Sequence, residues 1–401
     1  MQHIVALSFE HRNGNQIDKI YPPFPETSDC SEWEKILPFI AIPDKAHGAC
    51  SSVIQFTLPD TDNVNGIRFG LAAYRSIETS ELQKTNPAYI RDHVQRSLCV
   101  ISSVPLFGEL EKPLKQALYD NFDSLTDNLE TIYNDLSSKC ASPVPFSGIS
   151  YASFFQSCRM NILPLVRALF LQRKILIFAD NSELCSKMCV ALASLLPDFL
   201  YPDSNSPNTF PIKFLEGGEH KFAFAPYVPL LLTETLNNHG AQSALMGTCS
   251  ELFLENNSSC VKYDILVDCR TLPATITFGN ISKIVELSKN ESEWMNNVLK
   301  YMTQHWAEES SGQWVRNEFR KWANSMLVSI LRVRHLKEVP KFTRMYLDWE
   351  KTEVFGDTFM KLIRKRDEID DIIQNKSVED IGEFDENLLV LKKSFMKLPW
   401  K

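Results

Sequence analysis

The stretch 161–200 limits the fold most, because it predicts a helix, a buried strand and a second helix with few residues between them. Apolar residues recur at helical spacing over 162–170, and KILIFA at 174–179 is an apolar run of strand length. In the second helix, Ser182 is expected to accept hydrogen bonds from the free amides of the first turn, and Pro197 is expected to end the helix. Since a strand that is apolar on both faces needs cover on both sides, this stretch predicts the centre of an α/β layer.

The residues before this stretch predict a small antiparallel sheet followed by helices. Asn13-Gly14 separates two runs rich in apolar residues, which is typical of a β-hairpin. Trp33 marks a short helix, and the prolines of LPFIAIPDKAHG at 37–48 favour extended chain after it. Further strands are predicted at 52–58, 67–77 and 95–103, and helices at 107–123 and 125–136. We therefore predict an α+β module over residues 1–139.

Composition changes twice in the rest of the chain. The segment CASPVPFSGIS at 140–150 is rich in proline and serine and predicts a linker. Residues 151–280 alternate strand and helix patterns, with further strands at 222–232 and 262–267, and predict an open, largely parallel sheet with helices on both faces. Residues 281–401 carry aromatic-rich helical patterns and predict an all-helical module. The fold class is therefore α/β, with an α+β arrangement overall.

Charge and cysteine content limit the class of protein. The net charge of −8 argues against a general nucleic-acid binder. The 10 cysteines are scattered without a CxxC pair, which favours reduced, mostly buried thiols in the cytosol. The N-terminus lacks the pattern of a signal peptide, and charged residues interrupt the most apolar stretch, so no transmembrane segment is expected.

For each residue that could carry chemistry, a structural role fits the sequence better. Cys185 and Cys189 share a helix face and could hold a metal if two more ligands converged, but they lie within an apolar stripe and favour core packing. Asp268, on the same strand face as Asp264, could act as a general base or ligand, although a hydrogen bond at the strand end fits better. Gly217-Gly218 lacks the context of a nucleotide-binding loop and favours a surface turn. No catalytic residue, cofactor or metal is therefore expected.

One segment is strongly basic, although the chain as a whole is acidic. Residues 316–344 contain eight basic residues against two acidic ones. Such a run is usually the solvated face of a helix. The alternative is contact with an anionic membrane or an acidic partner patch, for which Arg332, Arg334 and Lys337 are the candidates.

Several segments, taken in order, carry a resemblance to a known family. They are HIVALSFEHRNGNQIDKIYPPF from His3, LPFIAIPDKAHG from Leu37, FGLAAYRSIE from Phe69, VQRSLCVISSVPLFGEL from Val94 and LPLVRALFLQRKILIFA from Leu163. On these segments the chain resembles the DENN-domain proteins, most closely the Avl subgroup associated with the late secretory pathway. Compared with larger Avl-type relatives, the chain is expected to lack a long polar insertion within the central module and an extended C-terminal tail.

The resemblance implies a tripartite organisation: a longin-like upstream module, a central α/β module and a helical downstream module. It also implies binding of a Rab-type small GTPase, with exchange of GDP for GTP during vesicle traffic. Such a protein is expected in the cytoplasm, recruited peripherally to Golgi, post-Golgi or endosomal membranes. The partner-binding surface is expected where the first two modules meet, beside the exposed end of the 174–179 strand.

For that surface we select Phe69, Tyr74 and Arg75, because aromatic and arginine side chains often anchor interfaces. Core packing is the alternative for Phe69. Two other functions remain open: a scaffold that binds a GTPase or a coat component without accelerating exchange, and a nucleotide-dependent enzyme of the doubly wound class. The enzyme would be stabilised against heat by its nucleotide or cofactor.

Overall fold

The structure is a computed structural model of the 401-residue chain. It describes residues 1–25, 30–44, 50–59, 67–82, 92–140, 144–197, 222–232, 242–254 and 262–336. Within these residues, two five-stranded sheets and eight α-helices form most of the fold. The mixed α/β fold class predicted from the sequence is confirmed.

The first sheet is antiparallel and has the order β2-β1-β5-β4-β3. Its strands are β1 (His3–Glu10), β2 (Gly14–Tyr21), β3 (Cys50–Pro59), β4 (Ile67–Glu78) and β5 (His93–Ser102). The predicted hairpin joins β1 to β2, and Gly14 adopts a φ of 75°, a left-handed conformation that glycine tolerates best. The five strands predicted in this region, two in the hairpin and three after it, are confirmed.

Helices cover both faces of the first sheet. They are α1 (Ser31–Ile40), α2 (Phe107–Asp120) and α3 (Leu129–Lys139). Phe107 of α2 packs edge to face on Phe69 of β4, and Tyr133 of α3 packs on Tyr21 of β2. The extended chain predicted from Leu37 was wrong at its start, because Pro38 lies inside α1, which continues to Ile40.

The second sheet is mixed and has the order β10-β9-β6-β8-β7. Its strands are β6 (Ile175–Phe178), β7 (Phe222–Ala225), β8 (Gln242–Thr248), β9 (Ile265–Asp268) and β10 (Thr275–Thr277). The first four are parallel, as predicted, while β10 runs antiparallel to β9. The sequence did not reveal β8 or β10, and the strand pattern at 222–232 yields only the four residues of β7.

The predicted helix, strand and helix are all present around β6. Helices α4 (Ala152–Cys158) and α5 (Ile162–Phe170) precede this strand, and α6 (Ser182–Leu195) follows it. The cap of α6 differs from the prediction: Asn181 Oδ1 accepts from the backbone N–H of Leu184 at 2.8 Å, and Ser182 is buried one residue later. Asn181 performs the capping because its extended backbone aims the side chain at the first turn.

The two faces of β6 lie in different apolar clusters. Ile175 and Ile177 belong to the main core, which also contains the buried faces of α5 and α6. Leu176 packs in a smaller cluster with Val228, Met246 and Phe253. The described members of this second cluster lie on strands or in the segments that follow strands. None of them lies on an α-helix.

Two long helices, α7 (Lys289–His305) and α8 (Glu309–Leu336), follow the second sheet. A buried ion pair joins them to α5, since the guanidinium of Arg167 contacts the carboxylate of Glu291. Glu291 also accepts from Trp322 Nε1 at 3.2 Å and completes the capping box of α7 with Ser288. These charge-assisted bonds fix the helical layer to the central sheet.

The proline- and serine-rich segment at 140–150 packs against its neighbours where it is described. Phe146 is buried, and its carbonyl accepts from Arg316 Nη1 at 2.9 Å. Gly108 and Gly148 approach so closely that a Cβ on Gly108 would lie 2.1 Å from the carbonyl carbon of Gly148. The division of the chain into modules at this segment stays a prediction.

Candidate partner-binding site

The outer edge of the first sheet is covered by α6 and β7. Strand β3 is an edge strand, and the backbone N–H of Val53 donates to the Glu183 carboxylate of α6 at 3.0 Å. The N–H of Gln55 donates to Ser186 Oγ of α6 at 3.3 Å, and Thr57 Oγ1 donates to the carbonyl of Phe224 on β7 at 2.5 Å. Helix α6 therefore satisfies groups that an open edge strand would expose to other chains.

Four charged side chains extend this contact onto α2. Lys187 Nζ lies 2.7 Å from a carboxylate oxygen of Glu183 and 2.7 Å from one of Glu111. Lys115 Nζ lies 3.5 Å from Glu183 and 3.8 Å from Glu111. The network alternates in sign across two helices, so each charge is neutralised by a neighbour from the other half of the fold.

The network sets the charge state of Glu183. Burial raises the pKa of Glu183, but the Lys187 ammonium, the Val53 N–H and the Lys115 ammonium outweigh burial and leave this pKa below its ordinary value. Burial lowers the pKa of Lys187, and the carboxylates of Glu111 and Glu183 reverse that effect and raise it. Both groups are therefore ionised at neutral pH.

The same face of α2 carries an exposed aromatic ring. Glu111, Lys115 and Tyr119 follow one another at four-residue spacing and so lie on one side of the helix. Tyr119 is 61% exposed, and its ring covers the guanidinium of Arg75 at 4.2 Å from the ring centroid. We call Arg75, Lys115, Tyr119, Glu183 and Lys187 the junction surface.

Arg75 is half-buried and makes cation–π contacts. Its guanidinium lies over Tyr119 and also 5.6 Å from the Phe122 ring centroid. Arg96 is its cross-strand partner on β5, with a guanidinium 5.4 Å from the same Phe122 ring. Among the residues that the structure describes, no carboxylate forms an ion pair with Arg75 and no acceptor receives its N–H groups.

The three residues predicted to bind a partner do not share one position in the fold. Phe69 and Arg75 point to the face of β4 that α2 covers, whereas Tyr74 points to the opposite face. Phe69 is 3% exposed and Tyr74 1% exposed, so both side chains pack in the core. Arg75 alone of the three reaches the surface, and its role in partner binding stays a prediction.

Sequence reasoning missed Tyr119, which the structure places over Arg75. Helical spacing could have indicated that Tyr119 is exposed. Leu110, Leu114 and Leu118 form the buried stripe of α2, and residue 119 lies outside it. The sequence also carried no sign that Glu183 is partly buried, because a glutamate in the first turn of a helix is expected to face solvent. Only the packing of α6 on β3 brings these side chains together.

Two of the three residues predicted to contact a membrane or an acidic partner lie in the described part of the chain. Arg332 and Arg334 lie on α8, where the structure describes the backbone, and Lys337 lies outside the described residues, as do Gly217 and Gly218. In the described part of the chain, no helix has the length and apolarity to cross a membrane.

The residues considered for metal or base chemistry have structural contacts. Cys185 and Cys189 are buried in the main core, which confirms the predicted packing role. Asp268 accepts from the Nε and Nη2 groups of Arg270, and these bonds lower the pKa of Asp268. Asp264 precedes β9 and accepts from the N–H of Lys174 at 2.9 Å. No group of three potential metal ligands occurs among the described residues.

Comparison with known proteins assigns the chain to a family. The family model described as transport protein Avl9 matches residues 1–212 and 203–330. The late secretory pathway protein avl9 of Schizosaccharomyces pombe is 26% identical over 376 residues, which cover 84% of this chain and 77% of that protein. Late secretory pathway protein AVL9 of Saccharomyces cerevisiae is 23% identical over 396 residues, and the match spans 82% of this chain but only 51% of that protein. The chain therefore belongs to the Avl9 family of transport proteins.

Proposed function

We propose that this chain is a guanine-nucleotide exchange factor for a Rab-type small GTPase in the late secretory pathway. The observation that carries the proposal is the junction surface, where half-buried Arg75 and exposed Tyr119 lie beside the contact between the first sheet and α6. Arginine and tyrosine are the side chains that most often anchor protein interfaces. Family membership and the names of the two relatives support a role in secretory transport.

The proposed organisation is tripartite, as in the DENN-domain proteins. Residues 1–139 form the longin-like module, 151–280 the central α/β module and 281–401 the helical module, with 140–150 between the first two. The antiparallel sheet with its helices and the mainly parallel second sheet support this order. The junction surface then lies between the first and central modules, where a GTPase would contact both.

The proposed mechanism needs no covalent chemistry in this chain. An exchange factor stabilises the nucleotide-free GTPase by holding the first switch loop away from the nucleotide and its magnesium ion. Binding of the factor and binding of the nucleotide weaken each other by the same ratio, so GTP entry releases the GTPase. The junction surface suits this task because the ion network joins α2 to α6 beside Arg75 and Tyr119.

The proposed location is the cytoplasm, with peripheral recruitment to Golgi, post-Golgi or endosomal membranes. The names of the relatives place those proteins in the late secretory pathway. Arg332, Arg334 and Lys337 are the proposed contacts with anionic lipid. Reversal of these three charges tests that contact by flotation with anionic vesicles, and unchanged flotation would contradict it.

Affinity across nucleotide states tests the proposed function. An exchange factor binds the nucleotide-free form of its GTPase most tightly and is displaced by added GDP or GTP. The alternative scaffold would bind the GTP-loaded form as tightly as the nucleotide-free form, or more tightly. Titration of the full chain against a panel of Rab proteins in all three states separates these functions. Equal affinity in every state would contradict the exchange proposal.

A further inference from the structure

We propose that Arg75 and Tyr119 together recognise a carboxylate side chain on the partner protein, with an apolar residue beside it packing on the tyrosine ring. This inference rests on the proposed function and adds the chemistry of the recognised element: an acidic residue next to an apolar one on an exposed loop of the GTPase. The guanidinium would bind the carboxylate, and the exposed ring would supply the apolar contact.

Arg75 carries hydrogen-bond donors that no acceptor among the described residues uses. Its guanidinium carries five N–H donors, and within the described residues it has contacts only with the faces of two rings. Stacking holds a guanidinium in a fixed orientation and leaves the donors at its edge free. A planar fork of this kind matches the two oxygens of a carboxylate.

A second guanidinium faces Arg75 across the sheet. Arg96 lies directly across the ladder from Arg75, and both guanidinium groups lie within 6 Å of the centre of the Phe122 ring. A carboxylate bound at Arg75 would therefore place a negative charge close to both arginines.

The surroundings of Arg75 favour a single carboxylate over an extended anionic surface. Lys115 and Lys187 neutralise Glu111 and Glu183 in the adjoining network, and the whole chain carries a net charge of −8. A membrane rich in anionic lipid is bound by a cluster of basic side chains, whereas the lysines of the junction surface are already paired with carboxylates. One acidic side chain on a protein loop reaches Arg75 alone, and the exposed ring of Tyr119 favours a protein contact.

The test compares charge variants of the full chain in their binding to nucleotide-free Rab proteins. Arg75→Glu should weaken binding to the Rab partner by at least about 30-fold, as expected for an interface arginine that pairs with an acid. Arg75→Gln should also weaken it, and Arg75→Lys should restore only part of the affinity because an ammonium lacks the planar fork. Tyr119→Ala should also weaken binding, but it should change the salt dependence of binding less than the Arg75 variants do.

Lys139→Glu is the matched control, because it makes the same charge reversal at an exposed lysine whose described partner is Asp135 on α3. It should leave affinity unchanged. Circular dichroism and thermal melting of each variant establish that the fold is intact. Once a Rab partner is found, reversal of its acidic residue to arginine should recover binding to Arg75→Glu.

The outcomes separate this inference from the proposed function. If a nucleotide-free Rab binds the wild type and Arg75→Glu equally well, the inference is wrong and the proposed function stands. If no Rab in the panel binds the wild type, both fail. Loss of binding to phosphatidylserine vesicles in Arg75→Glu, with Rab binding unchanged, would assign Arg75 to lipid and also overturn the inference.

Discussion

The backbone N–H of Val53, on the outer edge of the first sheet, donates a hydrogen bond of 3.0 Å to the side chain of Glu183 on α6. These residues are 130 positions apart in sequence, so one contact joins the two halves of the fold. It closes an edge that would otherwise invite pairing with another chain. It also places the first turn of α6 beside α2, which creates the junction surface.

Removal of the Glu183 carboxylate should destabilise the protein. In Glu183→Ala the Val53 N–H loses its acceptor at a partly buried site, and we expect a loss of about 1–3 kcal/mol in the free energy of unfolding. Glu183→Gln keeps an acceptor oxygen for Val53 and should cost less. Chemical denaturation measures both. Glu293→Ala, at an exposed position of α7, is the control and should change stability little; equal losses at 183 and 293 would contradict the assignment.

The stabilising effect of Glu183 should depend on pH. Its pKa in the folded protein lies below its ordinary value, so the carboxylate stabilises the fold fully above the unfolded pKa. This stabilisation is lost as the pH falls through the lower, folded pKa. The difference in free energy of unfolding between wild type and Glu183→Gln should therefore shrink on acidification below the ordinary glutamate range. A difference that stays constant into that acidic range would show that the charge of Glu183 contributes nothing.

The buried pair of Arg167 and Glu291 should be strongly coupled. Loss of either charge leaves the other buried without its partner, and we expect Arg167→Met or Glu291→Gln to cost about 3–5 kcal/mol. The double variant removes both charges and should cost much less than the sum. A double-mutant cycle in chemical denaturation gives the coupling free energy. Additive losses would mean that the two side chains act independently.

Local patterns predicted most of the elements in the described part of the chain. Apolar alternation and the Asn-Gly turn were sufficient for β1 to β5, and helical spacing was sufficient for α5 and α6. The misses have physical causes. Strand β8 was missed because its apolar run, Ala244 to Met246, is too short for the sequence pattern to distinguish a strand from a loop. The prolines at 37–48 predict extended chain from Leu37, but Pro38 lies in the last turn of α1, and the helix ends two residues after it.

The finding that Asn181, and not Ser182, caps α6 can be tested by substitution. Asn181→Ala removes the side-chain oxygen that accepts from Leu184 and should cost about 1 kcal/mol in the free energy of unfolding. Ser182→Ala leaves that hydrogen bond intact and should cost less. Thermal melting of the two variants ranks them. A larger loss at Ser182 than at Asn181 would restore the cap predicted from the sequence.

The candidate site was less predictable than the fold. Arg75 was selected from residue type alone, and the same criterion selected Phe69 and Tyr74, which the structure buries. Strand periodicity places neighbouring residues on opposite faces, but it does not reveal which face a helix covers. Tyr119 and Glu183 join Arg75 only through contacts between distant segments, and a single sequence carries no signal for such contacts.

The proposed function requires that this chain accelerate nucleotide exchange on a GTPase held at the junction surface. Release of fluorescent GDP from each member of a Rab panel, with the chain at catalytic amounts, measures that acceleration. We expect at least one Rab to release GDP faster with wild type, Arg75→Glu to lose most of that acceleration, and Lys139→Glu to retain it. Stable binding to a Rab without any acceleration of GDP release would contradict the claim and identify the chain as a scaffold.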